Sequence, residues 1–199
     1  GVAAPLQLAG ARFRGNIGGR WVQTEQRATG YTFSAGLPVE TTEEREYDNV
    51  LPSMNLVLEP SDSFLVRVGL SRVMSRPGLG QLNPGAAVSV SGANRTVTAG
   101  NPDLDPITAN ALDIAGEWYF ADGAIFSVAL FARDIDSFVQ IVREGLPFTG
   151  NPLGLPDSVA VAACGATPGC SPAVLWAFNL PRNTPGGPLS GYEINLQMP

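Results

Sequence analysis

Regular alternation of apolar and polar residues is the feature that most restricts how this chain can fold. In the stretch Arg12 to Glu25, the apolar residues Phe13, Ile17 and Trp21 occupy odd positions, while arginines and an asparagine occupy even ones. Successive residues of a β-strand point to opposite faces of the sheet. A period of two therefore predicts strands with one apolar and one polar face.

The same alternation recurs along the chain and predicts six strands. They are Arg12–Glu25, Ser53–Glu59, Phe64–Ser75, Leu112–Phe120, Ala124–Val139 and Gly191–Gln197. We expect the charged residues of these strands to share one wet face; they are Arg12, Arg14, Arg20, Arg67, Asp113 and Glu117. The 199 residues include 23 glycines and 17 prolines, which suits strands joined by turns and loops. No run approaches the roughly 18 apolar residues that a transmembrane helix needs.

The connections between the predicted strands alternate between short and long. The short ones are Glu59–Ser63 and Ala121–Gly123, and the long ones are Gln26–Tyr47, Arg76–Asp105 and Val142–Ser190. Outer-membrane barrels have short periplasmic turns and long extracellular loops. The pattern predicts an all-β fold, a segment of an antiparallel up-and-down transmembrane β-barrel with long extracellular loops. The alternative is a secreted or cell-surface β-sandwich that binds carbohydrate or protein.

Charge and residue types disfavour several classes of function. The formal net charge of −6 and the absence of basic clusters disfavour a nucleic-acid partner. Histidine is absent, and paired carboxylates such as Asp134 and Asp136 have no nucleophile or metal set beside them. The sequence therefore predicts neither an enzyme nor a cofactor.

The two cysteines are close together in the stretch CGATPGC, as Cys164 and Cys170. No further cysteine or histidine is present to complete a zinc site. The spacing predicts a local disulfide within a loop outside the cytoplasm, and two free thiols in a reducing compartment are the alternative.

Several motifs, in their order and spacing, resemble one family. They are Asp48–Leu56, Val66–Pro77, Gly100–Pro106, Leu112–Phe120 and Ala129–Phe138. Together they are similar to the barrel of TonB-dependent outer-membrane receptors, over roughly Asp48 to Gln140. A general diffusion porin would share the turns but does not explain Arg72–Pro77 or Gly100–Pro106.

The resemblance implies a larger receptor in the outer membrane of a Gram-negative bacterium. Such receptors have about 22 strands and an N-terminal plug, and they import a scarce nutrient with energy from the TonB protein. We expect residues 1–199 to be part of the barrel domain, without the signal peptide, the plug or the TonB-contacting segment. Six strands are fewer than the roughly eight of the smallest barrels, which also indicates a fragment. The implied partners are outer-membrane lipid, the TonB protein through the missing plug region, and a small nutrient, either a carbohydrate or an iron-siderophore.

Polar and aromatic residues of the predicted loops are the candidate contacts for that nutrient. They are Arg76, Asn101, Asp103, Trp176 and Arg182. The alternative for each is packing within or between loops. The acidic run Glu43–Glu46 is interpreted as a solvated loop face, with bridging to lipopolysaccharide through divalent cations as its alternative.

Overall fold

The computed structural model describes residues 6–8, 11–34 and 37–199, and this part of the chain forms one nine-stranded sheet. The strands are β1 (Leu6–Leu8), β2 (Ala11–Ser34), β3 (Leu37–Ser61), β4 (Phe64–Ser75), β5 (Ala86–Ser91), β6 (Asn94–Ala99), β7 (Ile107–Ala121), β8 (Ala124–Pro147) and β9 (Leu175–Gln197). A 3₁₀ turn (Leu79–Leu82) precedes β5, and one α-helix, α1 (Asp157–Cys164), precedes β9. The residues at the extreme N-terminus that bear on a signal peptide lie outside the described ranges.

The predicted fold class is confirmed, because the long strands β2, β3, β4, β7, β8 and β9 follow one another across the sheet. Each pairs antiparallel with the next. Each of these six long strands contains one of the six ranges that the alternation predicts to be a strand. A β-sandwich needs a second sheet, and the described residues contain one sheet only. No helix in this part of the chain is long and apolar enough to cross a membrane.

The two short turns also lie where the sequence predicts them. β3 and β4 are joined at Asp62 and Ser63, and β7 and β8 at Asp122 and Gly123. Gly123 has a φ of 74°, a conformation that glycine adopts without steric cost. Pairing of β4 with β7 brings both turns to the same end of the sheet.

The sequence predicts a loop over Gln26–Tyr47, and this prediction is wrong. β2 and β3 stay paired along their length, from the pair Arg12 and Glu59 to the pair Ser34 and Leu37. Polar cross-strand contacts stabilise this extension; for example, the Tyr31 hydroxyl donates to Glu40 at 2.8 Å. Both faces of the extension are polar, so it lacks the alternation by which the lower part of the strands is recognised. Residues 35 and 36 of the predicted loop lie outside the described part.

The predicted loop Arg76–Asp105 contains the hairpin of β5 and β6, which the sequence analysis missed. Its two-residue turn has Gly92 at a φ of 58°. β6 pairs parallel with β9, through Val97 and Phe178 at the centre of the contact. The hairpin therefore folds back over the end of the sheet opposite the short turns.

The third predicted loop, Val142–Ser190, is shorter than expected. β8 continues to Pro147, and β9 already begins at Leu175 and pairs with β8 along its length. The prolines and glycines between 181 and 188 indicate a loop in the sequence, yet they lie in a strand. Proline has no N–H to donate to a neighbouring strand, and on the side of β9 away from β8 the described residues provide only the short contact with β6.

The buried core lies at the end of the sheet opposite the short turns. We call the elements that build it the cap: residues 76–106, residues 148–174, and the ends of β8 and β9 that contact them. Its largest fully buried side chains are Trp176, Phe148, Phe178, Leu104 and Val97. The rings of Phe148 and Trp176 meet edge to face, with their centroids 5.1 Å apart. The cap therefore has a protein interior, in contrast to the many exposed apolar side chains of the long strands.

Neighbouring glycines in β9 provide a test of its pairing with β8. A Cβ at Gly186 would overlap the carbonyl oxygen of Ile135, whereas a Cβ at Gly187 meets no atom within 4 Å. We predict that Gly186→Ala destabilises the barrel by about 1–3 kcal/mol, because backbone must move to relieve the overlap. The matched control Gly187→Ala should leave stability unchanged. The temperature at which the folded band is lost in a heat-modifiable gel shift measures both, and equal behaviour of the two variants would mean that this stretch is a loop.

Candidate functional site

The segment that begins at Gly100 is fixed at the rim of the sheet by hydrogen bonds on both sides. Gly100 N donates to the Asn83 carbonyl at 2.9 Å, and any Cβ at Gly100 would meet the carbonyls of Gln81 and Asn83 at 2.6 Å. From β2, Gln26 Nε2 donates to the Pro102 carbonyl at 2.6 Å. Only glycine fits this approach, so residue 100 sets the path of the residues that follow it.

β9 holds the same segment from the opposite side. Asn183 Oδ1 accepts from Asp105 N at 2.9 Å, and Asn183 Nδ2 donates to the Asp105 carbonyl at 3.0 Å. Asn101 Nδ2 donates to the Pro181 carbonyl at 3.2 Å, while its Oδ1 accepts from Asp103 N at 2.9 Å. The buried Leu104 anchors the centre of the segment. The side chain of Asn101 and the backbone of Asp103 are therefore held in position beside β9.

A cavity of about 400 Å³ opens beside this segment. It is lined by residues of β3, of the Gly100 segment, of the loop before α1, and of β9: Thr41, Glu43, Pro84, Gly100, Asn101, Pro102, Asp103, Pro152, Leu153, Leu155, Leu180 and Arg182. Three of the five candidate ligand contacts thus line one cavity, although Arg182 is far from Asn101 and Asp103 in sequence. We call it the rim cavity.

Asn151 shapes the apolar wall of the rim cavity, and sequence reasoning missed it. Its Oδ1 accepts from Leu153 N at 3.0 Å and from Leu155 N at 3.1 Å. Its Nδ2 donates to the carbonyls of Phe148 at 2.8 Å and Leu155 at 2.7 Å. All the hydrogen-bonding capacity of this buried amide is used within the loop. The letters NPLGLP (Asn151 to Pro156) signal a turn, but not the cavity that the turn lines.

The other two candidate contacts lie apart from the rim cavity. Arg76 lines a second cavity of about 450 Å³ between β2 and the 3₁₀ turn, where its Nη2 donates to Thr24 Oγ1 at 3.0 Å. Trp176 is 1% exposed and its Nε1 donates to the Ser171 carbonyl at 3.0 Å. The structure therefore places Trp176 in the cap core, which matches the packing alternative and leaves no ring face for a ligand.

The acidic run of β3 is divided between the two faces of the strand. Glu43 lines the rim cavity, whereas Glu44 lies on the other face beside Arg27, at 3.5 Å. The sequence predicts a solvated loop face for this run and does not indicate that Glu43 lines a cavity. Successive residues of a strand point to opposite faces, so this periodicity distinguishes Glu43 from Glu44 once the run is known to form a strand.

The cap is closed by the predicted disulfide between Cys164 and Cys170. Cys164 is the last residue of α1, and Val159 and Ala160 of the same helix pack into the core. Closing a loop with a sequence separation of 6 contributes about 2 kcal/mol in the chain-entropy model. Among the described residues no group of three or more histidine, cysteine, aspartate or glutamate side chains has the arrangement of a metal site.

Comparisons with known proteins agree on one fold. A family model described as the TonB dependent receptor-like β-barrel matches residues 2–199. A variant of the ferric enterobactin receptor PfeA from Pseudomonas aeruginosa, in complex with enterobactin, aligns with a TM-score of 0.59 and 17% identity. The alignment covers 98% of this chain and 32% of that one.

Two siderophore receptors named PirA align similarly. The receptor from Pseudomonas aeruginosa has a TM-score of 0.55 and 16% identity, over 95% of this chain and 31% of its own. The receptor from Acinetobacter baumannii has a TM-score of 0.50 and 16% identity, over 94% and 25%. The chain thus spans about a quarter to a third of the receptors it resembles. A search of the curated proteins found no match.

Replacing the central ring of the cap tests whether the cap is a packed unit. We predict that Trp176→Ala lowers the stability of the cap by about 3–5 kcal/mol, the usual cost of removing a buried large aromatic. The control Leu175→Ala removes a neighbouring side chain that is 63% exposed, and it should have little effect. The measurement is the rate at which added protease cuts between residues 148 and 174 on intact cells. Equal rates for both variants would contradict the packing of Trp176 in a stable core.

Proposed function

Because the chain belongs to the TonB-dependent receptor-like β-barrel family, we propose that it is a membrane-spanning part of an outer-membrane receptor that imports a ferric siderophore. Receptors of this family are transport proteins and not enzymes. The observation that carries the proposal is a single sheet whose two faces differ in polarity while the packed core lies beyond one end of it. The proposed membrane partner is therefore outer-membrane lipid, with the TonB protein as the energy source.

The apolar face of the sheet is the proposed contact with lipid. On β2 it runs from Phe13 to Trp21, in register with Leu58 to Val50 on β3. A tilted transmembrane strand needs about 9–11 residues, which matches this length. Ile17 is 80% exposed at its centre. Such a face is unfavourable in water but suits hydrocarbon.

The edges of the apolar face carry aromatic and polar residues. At the short turns, Trp118 lies between Phe64 and Phe126 in neighbouring strands. At the other edge, Trp21 Nε1 donates to Asp48 Oδ2 at 3.3 Å. Aromatic girdles at both interfaces of a transmembrane barrel have this arrangement.

The opposite face is the proposed lining of the barrel interior. Ion pairs connect neighbouring strands there, with Arg14 and Glu59 at 2.7 Å and Arg67 and Glu117 at 2.8 Å. Arg133 and Asp113 are 2.8 Å apart. So many charged groups on one face require water or oppositely charged partners. A barrel interior that conducts a polar nutrient provides such surroundings.

The rim cavity is the proposed ligand-contacting region, with Asn101, Asp103 and Arg182 at its wall. Arg76 contributes from the neighbouring cavity. The similar structures include siderophore and ferric enterobactin receptors, and this supports a ferric siderophore as the ligand class. Trp176, an aromatic that could stack on a sugar, is buried in the cap core, and this gives the carbohydrate alternative less support.

The proposal predicts both the location and the energy dependence of the receptor. The complete reading frame that contains these residues should give a heat-modifiable protein in the outer-membrane fraction. Cells that produce it should take up a ferric siderophore, and removal of TonB should abolish that uptake while leaving the amount of folded receptor unchanged. Uptake that persists without TonB would contradict the proposal. A soluble, cooperatively melting product of the 199 residues alone would contradict the membrane assignment.

A further inference from the structure

The charged groups of the rim cavity point to the kind of siderophore that it accepts. We propose that the cavity favours a ferric complex of zero or positive net charge and disfavours polyanionic complexes. This inference rests on the proposed function, because it describes the ligand of the same site. Four observations support this proposal. Two carboxylates in the cavity lack a basic partner, and two nearby arginines are each paired with another carboxylate. The wall of the cavity is also partly apolar.

Glu43 and Asp103 are the two carboxylates that line the rim cavity. Neither forms an ion pair with any arginine in the part of the chain that the structure describes, and the sequence contains no lysine. Asp103 is held in place by the turn at Asn101, whose Oδ1 accepts from Asp103 N at 2.9 Å. Both carboxylates therefore line the cavity without a cationic partner among the described residues.

The arginines around the cavity do not offset these charges. Arg182 Nη2 lies 2.9 Å from Glu144 Oε2, so its charge is already balanced. Arg45, on the same face of β3 as Glu43, is paired with Asp105. The local balance is negative, in agreement with the formal net charge of −6 of the whole chain.

The apolar wall strengthens the effect of the charges. Leu153, Leu155 and Leu180 line the same cavity as the carboxylates, and Leu180 is only 7% exposed. Charges act over longer distances where apolar groups replace water. An anionic ligand would also lose hydration on entry without gaining a free cation. A neutral ligand with alkyl groups has neither disadvantage.

The negative charge of the cavity discriminates between two chemical classes of siderophore, because their ferric complexes differ in net charge. Three catecholate groups carry six negative charges, so their complex with Fe³⁺ is a trianion. Three hydroxamate groups carry three, so their complex with Fe³⁺ is neutral. The cavity holds only part of such a molecule, since a volume of about 400 Å³ is at the small end of ligand sites. We therefore assign the neutral tris-hydroxamate type to this receptor and not the tris-catecholate type.

The test compares both ligand types on the whole receptor, in cells that lack other siderophore receptors. The unaltered receptor should transport a ferric tris-hydroxamate and bind a ferric tris-catecholate at least about tenfold more weakly, from the repulsion of like charges. The double variant Glu43→Gln with Asp103→Asn keeps the shape of both side chains and removes their charges. It should bind the tris-catecholate about tenfold more tightly than the unaltered receptor, so that the preference for the tris-hydroxamate narrows by about the same factor.

The control variant is Glu44→Gln, which removes the same charge from the opposite face of β3 and should change neither affinity. Heat-modifiable mobility verifies that each variant is folded. Equal affinity of the unaltered receptor for the two ligand types, or no response of the double variant, would overturn the inference and leave the siderophore assignment intact. Transport of neither ligand type would overturn both.

Discussion

The long strands carry apolar side chains that have no protein core to pack into, and the rest of the structure depends on this constraint. Ile17, Leu130 and Ile194 are more than half exposed on one face of a single sheet. In water, such a face would drive aggregation, and the open edges of the sheet would add to it. In a lipid bilayer the same face is stabilised, and strand pairing satisfies the backbone groups that water cannot reach.

The cap extends the sheet beyond the apolar face and is built on different principles. It is a small structure with its own buried core, in which Phe148, Trp176 and Phe178 pack together. A disulfide closes the end of its helix, and β6 adds a strand to β9. The Gly100 segment and the loop around Asn151 are each held by hydrogen bonds, and the rim cavity lies between them.

The parts of the fold that the sequence predicts are those set by local pattern. Alternation identifies the six long strands and their faces, since each strand has one apolar and one polar face. The pattern fails where both faces are wet, as in the extension of β2 and β3, and where prolines lie in a strand, as at Pro185 and Pro188. The hairpin of β5 and β6 depends on a contact with β9 that is distant in sequence.

The candidate site is predicted only in part, for a related reason. Asn101 and Asp103 belong to one motif, but the sequence does not indicate that Arg182 joins them, because β9 brings it there. Trp176 has the residue type of a ligand contact and yet lies in the core. Residue type alone does not separate an aromatic that binds a ligand from one that anchors a loop. The difference depends on which surface the rest of the cap covers.

Spin labels placed one at a time along β8, from Phe126 to Arg133, would test the central claim that the two faces of the sheet meet lipid and water. The native cysteines do not interfere, because Cys164 and Cys170 are paired. In reconstituted receptor, accessibility to oxygen should peak at Phe126, Val128 and Leu130. Accessibility to a water-soluble nickel complex should peak at the positions between them. Loss of this alternation, with the nickel complex reaching both faces equally, would contradict the account.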